Sequence, residues 1–201
     1  MKLGIFITID GPNAVGKTTF IERLYNSLSQ EYSVYLTEEP SKTSLGKFAR
    51  SMEGKLSNMS YAYLIASDRS FHLETEILPK LEEVDIVICS RYIESSLVLQ
   101  HYDGLDYEKI WSMNQFFIIP EISVLLFADY KTLDERLKQR DRFSYYEKEM
   151  SRQQEIVYYH EAAEYISHKG FHVVELMNES EDAIEKNINC IRETIKMLKV
   201  L

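Results

Sequence analysis

Five short runs of the chain are apolar almost without a break: LGIFITI (3–9), SVYLT (33–37), VDIVIC (84–89), ISVLLF (122–127) and HVVEL (172–176). Each is rich in Ile, Val and Leu and only strand-length, so each reads as a strand covered on both faces, the pattern of a parallel sheet. Between these runs the spacing changes to that of helices. Phe20, Leu24 and Leu28 recur at four-residue steps and leave Glu22, Arg23 and Asn26 to face water. A long helix is expected over 57–78, with Pro79 helping to end it, because proline lacks an N–H and crowds the preceding turn. Ala183, Ile184, Ile188, Ile191, Ile195 and Leu198 mark a closing helix. Strand–helix alternation of this kind predicts an α/β fold with a parallel sheet.

No internal repeat or low-complexity linker interrupts the pattern, and the seven glycines fall at turns. Residues 1–201 are therefore expected to form one domain. The segment QRDRFSYYEK (139–148) breaks the helical periodicity. Two readings stay open for it: a flap over a site, or a solvated helix with aromatic packing.

Composition narrows the classes. The 201 residues are 45% hydrophobic and 27% charged, ordinary for a globular protein with one substantial core. With 23 Lys and Arg against 32 Asp and Glu, the formal charge of -9 repels a nucleic-acid backbone and argues against a polymeric DNA or RNA partner. Two cysteines, Cys89 and Cys190, make neither a CxxC pair nor a disulfide framework, which points to the cytoplasm. No apolar run approaches the roughly 18 residues that a membrane span needs, and the N-terminus lacks a secretory cleavage pattern.

The candidate chemistry opens the chain. After the first apolar run, Gly11-Pro-Asn-Ala-Val-Gly16-Lys17-Thr18 fits the phosphate-binding pattern GxxxxGK[ST], and a predicted amphipathic helix follows it. Glycine lets successive N–H groups converge on phosphate oxygens, and the helix adds its positive N-terminal end. Lys17 supplies a point charge for the β- and γ-phosphates, and Thr18 a hydroxyl suited to Mg²⁺. The set expected around ATP is Gly11, Asn13, Ala14, Val15, Gly16, Lys17, Thr18 and Thr19. No asparagine is followed by lysine, so the NKxD signature of a guanine switch is missing. Arginines instead sit on separate segments, at Arg50, Arg69, Arg91, Arg136, Arg140 and Arg142. Transfer of a phosphoryl group between two anions needs such cations.

These residues carry a resemblance. FITIDGPNAVGKTT, TEEPSKTSLGKFAR, IASDRSFH, VICSRYIESSLVLQHY and ISVLLFA, together with the arginine-bearing flap, make the chain resemble the thymidylate kinase family over nearly its full length. The resemblance implies a P-loop NTPase fold: five parallel strands flanked by helices, with a short lid near 139–148. It also implies a homodimer and the reaction of dTMP with ATP and Mg²⁺. Residue by residue, it assigns Lys17 and Thr18 to the donor phosphates and Mg²⁺, and Arg50 and Arg91 to the acceptor phosphate. Arg69, Gln100 and the nearby Ser96 would serve the pyrimidine edge, and Glu39 would help to arrange magnesium and water. Because the P-loop holds no arginine, the pattern is similar to the bacterial one in which the lid brings one in; Arg140 or Arg142 is the candidate.

The chain departs from that pattern at several places. Asn13 stands where an acid is frequent, Ser90 where an aspartate precedes the arginine, and Glu38 where an arginine is common. Ile65 replaces the phenylalanine that stacks on the base, and Leu99 an aromatic near the sugar. Asp10, Glu39 and Glu94 are candidates to compensate for Ser90. Beside a dTMP kinase, two other readings stay open: a related P-loop kinase for another nucleotide or nucleoside, and a nucleotide-binding protein with little turnover.

Overall fold

A computed structural model describes residues 3–200 of the chain. All five expected strands form: β1 (Ile5–Asp10), β2 (Val34–Glu38), β3 (Ile86–Ser90), β4 (Ile122–Phe127) and β5 (Val173–Met177). They make one sheet in the order β2-β3-β1-β4-β5, and every neighbouring pair is parallel. The helices between them are α1 (Lys17–Leu28), α2 (Ser44–Ser51), α3 (Asn58–His72), α4 (Leu78–Glu83), α5 (Ile93–Tyr102) and α6 (Tyr107–Asn114). After β4 come α7 (Tyr130–Lys138), α8 (Tyr145–Glu149) and α9 (Arg152–Ser167), and α10 (Glu181–Val200) follows β5.

Strand alternation sends side chains into two core layers. Ile5, Ile7 and Ile9 of β1, Ile86 and Ile88 of β3, and Ile122, Val124 and Leu126 of β4 meet the stripes of α1 and α10, which bury Phe20, Leu24, Leu28, Ile184, Ile188, Ile191 and Ile195. Phe6, Val87, Cys89, Leu125 and Phe127 face the opposite layer, where they meet Leu97 and Val98 of α5 and Tyr159, Ala162 and Ile166 of α9. Thr8 and Ser123 are paired across β1 and β4 and point into this second layer as its polar exception. Both hydroxyls donate to Oε1 of the buried Glu94, Thr8 at 2.6 Å.

The long helix differs from its expected form. Pro79 does not end it; a π-helical turn over Leu73–Ile77 joins α3 to α4, and Pro79 lies in the first turn of α4. The N–H of Leu78 reaches back five residues to the Leu73 carbonyl, so the ladder widens just where the proline ring needs room and supplies no donor. The flap is half loop and half helix: α8 starts from Ser144, whose hydroxyl and backbone N–H exchange bonds with Glu147 in a capping box.

Candidate active site

The phosphate loop follows β1 directly. Gly11 has φ 141°, and a Cβ there would lie 2.2 Å from the Leu126 carbonyl oxygen, so only glycine fits. Gly16 (φ 95°) turns the chain into α1, and Ala14 also holds a positive φ of 65°. The backbone N–H groups of Ala14, Gly16, Lys17 and Thr18 meet no protein acceptor among the described residues. They are unpaired donors at a helix N-terminus, the condition that favours an anion. The loop is braced from behind, since Arg136 Nη1 (3.1 Å) and Asn178 Nδ2 (2.9 Å) both donate to the Val15 carbonyl.

Lys17 curls over this cradle and donates from Nζ to the carbonyls of Gly11 (2.6 Å) and Pro12 (2.9 Å). Burial first, then the facing Arg91, push its ammonium down to about 7, against the pull of Asp10 and Glu155. A phosphate in the loop would add negative charge and raise it again. Thr18 and Thr19 are exposed on the first turn of α1.

Beside the loop lies a cleft of about 270 Å³. Every residue assigned to the acceptor, Arg50, Ile65, Arg69, Arg91, Ser96 and Gln100, lines it, and so do Glu39, Asn13 and Arg140. Arg142 does not line it and is exposed on the lid, so of the two lid candidates the geometry favours Arg140. Arg140 Nη1 is held by Glu147 Oε1 at 2.6 Å, so the capping residue of α8 also aims the lid arginine.

Arg91 sits just past β3 with φ 69°, a left-handed backbone costing about 1–2 kcal/mol in a non-glycine residue. Its contacts hold it there: Nη2 donates to Asn13 Oδ1 (2.8 Å) and Nη1 to Ser95 Oγ (3.0 Å). Burial alone would lower its pKa, but the facing Tyr159, Asp10 and Glu155 raise it further, so the cation persists. Arg50, also lining the cleft, lies 3.1 Å from Glu38 and is bonded to the Pro40 carbonyl.

Arg69 is 1% exposed and heavily engaged. It donates to Glu39 Oε2 (2.8 Å from Nε), to the Tyr92 carbonyl (2.8 Å), to Ser96 Oγ (3.0 Å) and to Asn114 Oδ1. Glu39 is thereby committed to Arg69, and its buried Oε1 has no hydrogen-bond partner, lying 3.6 Å from His72 Nδ1. Gln100 is 3% exposed, and its amide makes no hydrogen bond among the described residues. All three acids considered as substitutes for an aspartate at Ser90 are engaged by the protein, though Glu39 and Glu94 each through one oxygen only: Asp10 accepts from Gly11 N, Tyr159 and Ser95, and Glu94 Oε1 from Thr8 and Ser123. Burial, then the charge of Asp10, raise Glu94 to about 7.

Sequence reasoning missed Arg152 and Glu155, both buried on α9 behind the P-loop. The available signal was their place at the start of the apolar stripe Tyr159, Ala162, Ala163 and Ile166, where three- and four-residue spacing puts two charges on a buried face.

A cradle of unpaired amides with one lysine, set against a cleft of guanidiniums, defines a P-loop phosphotransferase. The family model for thymidylate kinase matches residues 9–188. A probable thymidylate kinase of Caldivirga maquilingensis is 37% identical over 149 residues, covering 72% of this chain and 73% of that protein. One of Pyrococcus abyssi is 34% identical over 162 residues, covering 76% and 79%. The crystal structure of thymidylate kinase from Ehrlichia chaffeensis superposes with a TM-score of 0.71 at 24% identity, over 94% of this chain and 98% of that one, a likeness of fold. The chain belongs to the thymidylate kinase family, and it is a nucleoside monophosphate kinase.

Proposed function

We propose that the protein transfers the γ-phosphoryl group of ATP to dTMP, giving ADP and dTDP, by direct in-line displacement. The observation that carries this reading is the meeting of Arg50, Arg91 and Arg140 with Asn13 of the P-loop on one cleft. Lys17 and the free loop amides hold the donor phosphates. Arg50 and Arg91 grip the acceptor phosphate, which a guanidinium fork matches, and Arg140 approaches from the lid to offset charge on the transferring oxygens. Ile65 and Leu99 cover the faces of the base. Gln100, with its amide unspent, reads the pyrimidine edge, while Arg69, Glu39 and Ser96 form the frame behind it.

The residues present fit a magnesium ion. Thr18 offers an exposed hydroxyl with no hydrogen-bond partner among the described residues, beside the unpaired amides, and would supply the ion with one oxygen ligand. When bound, the ion neutralises charge on the β- and γ-oxygens. The reading extends to a cytoplasmic homodimer. Among the described residues no helix is long and apolar enough to cross a membrane. Sedimentation equilibrium at twice the chain mass of 23.6 kDa would support the dimer, and a single-chain mass would count against it.

ADP release measured across dTMP, dUMP, other deoxynucleoside monophosphates and thymidine tests the activity. Turnover strongest on dTMP is expected. Preference for another acceptor by more than about 10², the scale one polar contact sets, would move the assignment to that acceptor. ATP binding with no acceptor consumed would leave a nucleotide-binding protein.

A further inference from the structure

On the first turn of α9, Arg152 Nη1 and Glu155 Oε2 form an ion pair at 2.7 Å, with the side chains 2% and 1% exposed. Burying two charges costs more than a lone pair returns unless the remaining donors and acceptors are also satisfied. Here they are satisfied by two parts of the active site. Glu155 Oε1 accepts both the backbone N–H and the Nδ2 of Asn13, each at 2.9 Å. Asn13 Oδ1 is thereby turned to Arg91 and accepts from its Nη2 at 2.8 Å. At the other end, Arg152 Nη2 donates to the carbonyls of Tyr146 and Glu147, each at 3.4 Å, and to that of Met150, so it holds the lid helix α8.

We propose that Glu155 is a positioning residue for phosphoryl transfer: it fixes the Asn13 amide so that Arg91 is aimed across the P-loop, and through Arg152 it ties that aim to the lid. The chemistry of the amide makes the orientation single. A flipped Asn13 would set its NH₂ against a guanidinium and its oxygen against a carboxylate, repelling on both sides. Arg91, with its left-handed backbone, has few other anchors, and a misplacement of about 1 Å in such a group costs on the order of 10² in rate. This rests on the reading of Arg91 as an acceptor-phosphate ligand.

The test is steady-state kinetics with dTMP on the full chain carrying Glu155→Gln, Asn13→Ala, or both. Glu155→Gln is expected to lower kcat by about 10–100-fold with the KM for ATP nearly unchanged. Asn13→Ala alone is expected to cost about as much, because Arg91 loses the same oxygen. The double variant is expected to lose little more than either single one, since both changes break the same link between α9 and Arg91. Losses that multiply in the double variant, as two independent structural roles would give, or a Glu155→Gln enzyme within about twofold of wild type, overturn the proposal. If Glu155→Gln fails to fold, Asn13→Ala keeps the ion pair and must show the same split; turnover within about twofold of wild type would overturn the relay. A wild-type protein that neither binds nor consumes dTMP fails the activity reading, whereas active wild type with unaffected variants fails the relay alone.

Discussion

At the scale of single residues, the site depends on charges held where backbone geometry puts them. Lys17 Nζ rests on the Gly11 and Pro12 carbonyls and is poised to exchange them for phosphate. Lys17→Met should lower ADP release by several orders of magnitude while circular dichroism shows the fold kept; near-normal turnover would remove Lys17 from its role. Arg50 meets only the cleft wall through Glu38 and Pro40. Arg50→Ala should therefore raise the KM for dTMP by about tenfold or more, the scale of a charged hydrogen bond, and spare that for ATP; the reverse split would contradict its assignment. The phosphate loop and the cleft arginines were legible because glycine offsets and guanidinium positions are local signals. Arg140 and Arg142, two residues apart, look alike in sequence, and only the structure shows that Arg140 lines the cleft. Glu155 was not legible, since its partner Asn13 lies 142 residues away.

At the scale of elements, boundaries followed periodicity well where a stripe faces the sheet. Every strand and the closing helix α10 appear where the apolar runs put them. The exception at Pro79 reflects an adjustment that periodicity does not encode, one wider turn that lets a helix run through a proline. The lid divides because charges and aromatics support no continuous stripe, while Ser144 and Glu147 are enough to start a single short helix. Removing that start is a direct test of the lid: Ser144→Ala should destabilise α8 by about 0.5–2 kcal/mol and speed hydrogen exchange of its amides by the corresponding 2- to 30-fold. Exchange unchanged in α8 would mean that Tyr146, anchored on Asp103 at 2.6 Å, rather than the cap, holds the lid.

At the scale of the whole molecule, Glu94 reaches from α5 to the underside of the sheet, deep in its second layer. Glu94 is fully buried between β1, β4 and α5, and its pKa is raised from the ordinary 4.5 to about 7. A carboxyl that keeps its proton longer when folded stabilises the native state at low pH, and that contribution is lost as pH rises from the unfolded value through the folded one. Between about pH 4.5 and 7 wild-type stability should fall by roughly 2–3 kcal/mol relative to Glu94→Gln; parallel pH profiles from urea titrations would contradict a protonated Glu94.

The same sheet brings the ends of β1, β2 and β3 together, so that the loop with its free amides shares one cleft with Arg50, Arg69 and Arg91, and with Arg140 from the lid. Incubating the protein with ATP labelled at the γ-phosphoryl group and with dTMP, then separating the products, tests that union most directly. The label should appear in dTDP as ADP forms; label found only in inorganic phosphate, or left in ATP, would contradict it.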